Sequence, residues 1–197
     1  MEYRFKLPII LLTIAGVLLT TYNIVNYDSG TTATMLLPTL RTLGDTIEVS
    51  DPKDRLIFIG DVHGQFNEFK EMLDTKIGQI DSHTTVVLLG DFLVKGPDSD
   101  KMVDYVTSHE DHVKFVFGNH EVLLFLAFVS EHLGMADHLA FTTDKQFPPR
   151  TFKPPKKLHK ELVKKLGPER LHKLASLGSV SLRFDLKLTN ETLFAVH

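Results

Sequence analysis

Three short stretches of this 197-residue chain place metal-ligating side chains directly after hydrophobic runs that end in glycine. They read GDVHG at 60–64, GD at 90–91 and GNHE at 118–121. Aspartate, asparagine and histidine supply oxygen and imidazole ligands, which suit Mn, Fe, Zn or Co. The chain contains no cysteine, so disulfides and thiolate metal sites are excluded. Any metal centre must therefore be built from these oxygen and nitrogen ligands.

The hydrophobic runs alternate with helical patterns, which predicts an α/β fold with parallel strands. Buried strands are predicted at 55–60, 84–90 and 112–118, and helices at 65–78, 98–109 and 121–134. Helical crossovers favour parallel pairing, and the carboxyl ends of parallel strands share one edge of the sheet, where ligands bind. The side chains expected to meet at that edge are Asp61, His63, Asp91, Asn119 and His120.

The recurrence of this pattern favours a two-metal centre over isolated polar turns. Taken singly, Asp91 or Asn119 would suit the start of a helix, and His63 would suit a turn. A carboxylate such as Asp91 can also bridge two cations, and such a pair activates water and clamps an in-line phosphoryl displacement. Because candidate ligands follow all three predicted strands, the residues predict a two-metal centre that cleaves phosphate bonds.

These motifs resemble those of the calcineurin-like metallophosphoesterase superfamily, on its phosphoprotein-phosphatase side. The resemblance covers residues 55–133 and returns at 192–197, where TLFAVH ends in a histidine that matches the family's next motif. It implies a metallophosphoesterase fold, with mixed β-sheets flanked by helices, and two divalent ions (Zn, Mn, Fe or Co). By the same likeness Asp61 and His63 would bind the first ion, and Asn119 and His197 the second. Asp91 would bridge the two ions and take part in catalysis.

The resemblance further implies that His120 is the general acid that protonates the leaving oxygen, and that Asn119 also contacts phosphate. In GDFLVKGPDS at 90–99, Val94 stands where the family's protein phosphatases carry the aspartate that orients this histidine. Lys95 replaces their phosphate-gripping arginine. Lysine has no bidentate fork, so Lys95 is predicted to bind phosphate as a point charge.

The substrate expectation follows from a narrower resemblance, to the membrane-anchored fungal vacuolar zinc-dependent endopolyphosphatases. It implies metal-dependent hydrolysis of phosphoanhydride or phosphoester bonds, with inorganic polyphosphate as substrate. A protein serine/threonine phosphatase and a diadenosine tetraphosphatase-like hydrolase are the alternatives within the superfamily. The family's last metal-binding histidine has no counterpart after His197, so the fold is expected to be incomplete at its C-terminus. A non-catalytic truncated fragment is therefore a third alternative.

The N-terminal region predicts a membrane anchor. Residues 7–25 carry no charge, and a helix of that length covers nearly all of the roughly 30 Å hydrocarbon layer. Arg4 and Lys6 precede it, which favours a cytosolic N-terminus. The predicted protein is thus a single-pass membrane protein with a lumenal catalytic domain, in the vacuolar membrane by the resemblance above. A cleaved signal peptide is the alternative.

The predicted division of the chain follows from that anchor. Residues 1–27 form a cytosolic stub and the transmembrane helix, residues 28–52 a weakly structured stalk, and residues 53–197 the partial phosphoesterase domain. Asn190 begins a glycosylation sequon in a predicted turn between two strand-like runs, which fits a lumenal domain.

A basic segment at 145–173 holds ten Lys or Arg against two Glu. It reads either as a solvated helical cover or as a positive wall that attracts a polyanionic phosphate substrate. No aromatic stacking platform accompanies it, so no nucleic acid partner is expected. His159 and His172 lie in its helical part, follow no strand end, and are predicted to be solvated residues outside the site.

Overall fold

The structure is a computed structural model that describes residues 40–133 and 155–197. The predicted membrane-spanning segment at 7–25 and the start of the basic segment lie outside these ranges. Within residues 40–133 and 155–197, no helix is both long enough and apolar enough to cross a membrane.

The described elements alternate between strands and helices. In chain order they are β1 (Arg41–Val49), β2 (Arg55–Ile59), α1 (Phe66–Met72), a π-helical turn (Leu73–Ile77), β3 (Thr84–Leu88), α2 (Ser99–Ser108), β4 (Val113–Phe115), α3 (Asn119–Leu133), α4 (Lys157–Leu177), β5 (Ser179–Leu186) and β6 (Glu191–Val196). The predicted strands and helices are therefore present, with ends that differ by a few residues.

The first sheet has the strand order β2-β3-β4, and both pairs are parallel, as predicted. The middle strand β3 is buried on both faces. Val86 and Leu88 point into a core shared with the helices, whereas Val87 packs in a second cluster with Leu182 and Phe184 of the other sheet. Alternate residues of a strand face opposite sides, so β3 joins the two halves of the core.

The second sheet has the order β1-β5-β6, with β1 parallel and β6 antiparallel to β5. A parallel bridge between Val116 and Ser179 joins the end of β4 to the start of β5. The architecture is a mixed α/β fold with two sheets and flanking helices, as expected. His197 follows β6 directly, so β6 carries it back toward the edge of the first sheet.

The prediction of a weakly structured stalk at 28–52 is wrong for residues 41–49, which form β1. The strand RTLGDTIEV shows no clean alternation, and its register on β5 shifts between Leu43 and Thr46. It is held by pairing with β5, far later in the chain, and by Ile47, which packs against the inter-sheet cluster. Such strands depend on their partner more than on local propensity.

The helices cover the first sheet. The strongly apolar α3 is buried as predicted, with Leu124, Ala127 and Phe128 completely inaccessible. The long α4 bends at Gly167, which has a positive φ of 72° and precedes Pro168. Since proline cannot continue a helical hydrogen-bond ladder, the element consists of two shorter helices that follow the curved core.

Several basic residues of α4 are paired with acids. Lys165 lies 2.8 Å from Asp100, and Arg170 lies 2.5 Å from Asp104, both on α2. One apolar side of α4, with Leu162, Leu166, Leu171 and Leu174, is buried in the core. This part of the basic segment therefore acts as a cover for the core.

Candidate metal centre

The loops after β2 and β3 are fastened to each other by backbone hydrogen bonds. The His63 N–H donates to the Asp91 carbonyl (3.0 Å), and the Gly64 N–H donates to the Phe92 carbonyl (2.8 Å). The Gly96 N–H returns to the His63 carbonyl at 2.6 Å. A side chain at Gly96 would place its Cβ 2.4 Å from that carbonyl oxygen, so only glycine allows the approach. The two motif loops thus form one rigid unit.

Four residues of these loops adopt left-handed backbone conformations. They are His63, Asp91, Val94 and Lys95, with φ values of 52°, 47°, 69° and 67°. This conformation is costly for most residues and especially so for a β-branched valine. Strained backbone persists where the surroundings enforce it, and it clusters at functional sites. Here the hydrogen bonds between the two loops keep these residues in the strained conformation.

Glu121 anchors the loops that follow β3 and β4. Its carboxylate is completely buried and accepts hydrogen bonds from the backbone N–H groups of Asp91 (2.8 Å), Leu93 (2.9 Å) and Gly118 (2.9 Å). Burial raises the pKa of Glu121 to about 7, while the three donors favour its charged form. The first turn of α3 therefore fixes the loops that carry Asp91 and Asn119.

The predicted ligands converge above this anchor. His63 Nε2 lies 3.2 Å from Asp61 Oδ2, and His197 Nε2 lies 3.7 Å from Asp91 Oδ1 and 3.9 Å from Asp61 Oδ1. Asn119 sits beside Asp91: with its amide nitrogen toward Asp91 Oδ2 (3.2 Å), its oxygen accepts from the His120 N–H (3.3 Å). All of the predicted metal ligands are therefore brought to one edge of the sheet.

The donor set fits a divalent metal. Ligands held about 2.1 Å from a zinc ion are separated from one another by roughly 3.4 Å, close to the nitrogen–oxygen distances found here. The acceptor lone pair of His63 Nε2 already faces a cation, the ammonium group of Lys95, at 2.7 Å. His63, Asp91 and His120 also offer ligand atoms within 4.8 Å of one another. Asp91 is almost inaccessible, whereas Asp61 is half exposed, so the site opens toward solvent at Asp61.

His159 was predicted to be a solvated helix residue, and this prediction is wrong. It is completely buried, and its Nε2 lies 3.1 Å from Nδ1 of His120, with the two ring planes only 16° apart. Its own Nδ1 accepts a hydrogen bond from the Lys156 N–H at 3.0 Å. The first turn of α4 brings it there, because Leu162 and Val163 bury the same side of the helix.

Burial is also the main influence on the two histidines. It lowers the pKa of His120, against the charge of Asp91, which raises it. Burial, followed by the neighbouring His120, lowers the pKa of His159 to about 4. The pair is thus a desolvated imidazole–imidazole contact at the edge of the candidate centre.

Two other predicted positions lie away from this cluster. Asn190 is exposed in the turn between β5 and β6, as the sequence indicated, and its glycosylation stays a prediction. His172 is half-buried with its ring against Phe128, and burial lowers its pKa. It is therefore partly buried and not fully solvated as the sequence predicted.

Comparison with known proteins agrees with this geometry. The family model for calcineurin-like phosphoesterases matches residues 54–194. The chain belongs to the calcineurin-like phosphoesterase family. That range begins at β2 and includes every strand end that carries a candidate ligand except the last residue, His197.

Two relatives of this chain have descriptions that name hydrolysis of polyphosphate or of a tetraphosphate. A Saccharomyces cerevisiae protein described as a zinc-dependent endopolyphosphatase is 39% identical over 169 residues, which cover 82% of this chain and 52% of the yeast protein. A symmetrical bis(5'-nucleosyl)-tetraphosphatase of Buchnera aphidicola is 37% identical over 81 residues, 41% of this chain and 28% of its own length. The chain therefore spans about half the length of the yeast relative.

Proposed function

We propose that this phosphoesterase hydrolyses phosphoanhydride bonds at a centre of two divalent metal ions, with inorganic polyphosphate as its substrate. The observation that carries the proposal is the convergence of two carboxylates and two imidazoles at one sheet edge, beside the ammonium group of Lys95. The similarity to the yeast zinc-dependent endopolyphosphatase supports polyphosphate and zinc.

Each metal ligand has a proposed place in the centre. Asp61 and His63 would hold the first ion, Asn119 and His197 the second, and Asp91 both. When bound, divalent ions in such a centre lower the pKa of a water molecule and stabilise negative charge on the phosphate. Zinc is favoured among the candidates, since imidazole and carboxylate ligands suit it and the yeast relative depends on it.

The chain itself would contribute the remaining contacts. His120 would donate a hydrogen bond from its ring N–H to the leaving oxygen, which departs as a phosphate anion when the bond to phosphorus breaks. Lys95 and Asn119 would contact phosphate oxygens. Lys95 presents one exposed point charge, which can contact a phosphate within a chain as readily as a single phosphate. A site of this kind tolerates a long, repeating substrate.

A second candidate is hydrolysis of dinucleoside polyphosphates. The Buchnera relative, described as a symmetrical tetraphosphatase, supports it over a region of 81 residues. This reaction also breaks a phosphoanhydride bond. Phosphoprotein hydrolysis is less favoured, because Val94 occupies the place of the aspartate that the protein phosphatases use.

The test is a comparison of long-chain polyphosphate, diadenosine tetraphosphate and a phosphoserine peptide as substrates of the zinc-loaded protein, at low and high salt. We expect polyphosphate to be shortened fastest, and its cleavage to weaken with salt because exposed charge contacts are screened over about 10 Å at 0.1 M. Preference for the phosphopeptide, or polyphosphate cleavage that is independent of salt, would contradict the proposal.

We also propose that the protein is anchored in the vacuolar membrane by residues 7–25, with its catalytic domain in the lumen. The uncharged stretch of nineteen residues and the sequon at Asn190 support this topology. Polyphosphate in the same compartment would then have direct access to the open side of the site at Asp61.

A further inference from the structure

We propose that His159 is a positioning residue for the reaction: it donates its Nε2–H to Nδ1 of His120 and so fixes the proton of His120 on Nε2. The inference concerns the site of the proposed function and rests on it for its kinetic consequence. The tautomer itself follows from the hydrogen bonds of the folded chain.

The direction of the contact follows from donor and acceptor accounting. The Lys156 backbone N–H can only donate, so Nδ1 of His159 accepts and carries no proton. A neutral imidazole with an unprotonated Nδ1 carries its hydrogen on Nε2. That hydrogen faces Nδ1 of His120 at 3.1 Å, so Nδ1 of His120 must be the acceptor.

The same assignment of donors and acceptors then determines which ring nitrogen of His120 carries the hydrogen. With its lone pair on Nδ1 used by His159, neutral His120 carries its hydrogen on Nε2. Nε2 is thus the ring nitrogen left to face a substrate, and it is a donor. The series of hydrogen bonds from the Lys156 backbone through both imidazoles leaves the Nε2–H of His120 to face the leaving oxygen.

His159 therefore supplies the polar contact to His120 that the side chain of Val94 cannot supply. Val94 is buried and its side chain cannot bond to a ring nitrogen. The burial of His159 and its backbone contact at the start of α4 keep it in one orientation. Because its position is set by the first turn of α4, a region outside the three motifs controls the orientation of the functional histidine.

The decisive readout is the protonation of His120 in the zinc-loaded protein, measured by ¹⁵N NMR of histidine-labelled samples. We expect the nitrogen shifts to show a hydrogen on Nε2 and a bare Nδ1 in the wild type. A His120 with its hydrogen on Nδ1 would overturn the proposal. No substrate is needed, so this result stands apart from the proposed function, which polyphosphate cleavage by the wild type tests separately.

Two variants test the kinetic consequence. His159→Phe keeps a buried ring and removes the donor, and we expect kcat to fall about 10–100-fold with KM and zinc content unchanged. His159→Gln can place an amide N–H near the same position, and we expect it to recover most of that loss. His172→Phe, in the second of the two helices that make up α4, is the control and should keep wild-type kcat.

Each result bears on the proposal. A His159→Phe protein with wild-type kcat, or a His159→Gln protein no better than His159→Phe, would overturn it. If His159→Phe unfolds, circular dichroism will show it, and the NMR result with the His159→Gln rate then decides.

Discussion

At the scale of single residues, the partner of His120 influences which leaving group the site suits. An aspartate would accept a hydrogen bond from Nδ1–H and so favour the protonated, positively charged ring. His159 instead donates a hydrogen bond to Nδ1. A leaving phosphate departs readily as an anion and needs a hydrogen bond, while a serine alkoxide needs a proton. The histidine pair therefore agrees with the proposed phosphoanhydride substrates, and it predicts slow cleavage of a phosphopeptide.

The sequence motifs predicted which side chains converge at the sheet edge, but not the residues that support them. Asp61, His63, Asp91 and Asn119 each follow a strand closely, so their meeting follows from parallel pairing. His159 follows no strand, and its contact with His120 crosses 39 residues. Its spacing from Leu162 and Val163 places it on the buried side of α4, but no local pattern in the sequence indicates that this side meets His120.

At the scale of elements, the centre depends on the start of α3. Glu121 accepts three buried backbone hydrogen bonds from two separate loops. Gly118, one of its donors, lies so close to Asp91 that an added Cβ would be 2.3 Å from Asp91 Oδ1. The two loops are thus closely packed, and loss of the Glu121 carboxylate would disturb the position of both.

We predict that Glu121→Ala destabilises the protein by several kcal/mol and lowers its zinc content. Each buried N–H left without a partner costs about 1–3 kcal/mol, and three lose theirs. Urea denaturation and metal analysis measure both effects. Glu121→Gln should lie between, because the amide keeps one acceptor oxygen.

Glu71→Ala is the control for this comparison, since Glu71 is exposed on α1 and should change stability by less than about 0.5 kcal/mol. If Glu121→Ala were no less stable than Glu71→Ala, the anchoring role of Glu121 would be refuted.

The elements themselves were predictable to different degrees. β2, β3 and β4 are short hydrophobic runs whose burial is evident from composition, and their parallel order follows from the helices between them. β1 was missed because RTLGDTIEV carries Gly44 and Asp45 in its middle and depends on the distant β5. Non-local pairing of this kind leaves no local signal.

At the scale of the whole molecule, much of the basic charge of α4 is neutralised within the fold. Lys165 and Arg170 bind acids of α2, and Lys164 lies 3.6 Å from Glu131 of α3. A cleft of about 260 Å³ beside Lys95 is lined by Lys165 but also by Asp100 and Glu161. Among residues 40–133 and 155–197, the attraction of a polyanion would therefore rest chiefly on Lys95 and the metal ions, and the salt effect expected from these residues is moderate.

The proposed membrane topology makes its own prediction. The full chain should remain in the membrane pellet after alkaline carbonate extraction, because residues 7–25 would span the hydrocarbon layer. Endoglycosidase should increase its electrophoretic mobility, and Asn190→Gln, the control, should abolish that shift. Recovery of the protein in the soluble fraction with a shortened N-terminus would instead indicate a cleaved signal peptide.

The central claim is that the cluster around Asp91 holds the divalent ions that make polyphosphate cleavage possible. It is tested most directly by measuring zinc content and polyphosphate cleavage together in the wild type, Asp91→Asn and His120→Ala. Asp91 Oδ1 accepts the His120 N–H at 2.9 Å, and the amide oxygen of the Asp91→Asn variant could still accept it, so the fold should survive. We expect Asp91→Asn to lose both zinc and activity, and His120→Ala to keep zinc while losing about 10²–10⁴-fold in turnover. Full zinc content and cleavage in Asp91→Asn would contradict the account.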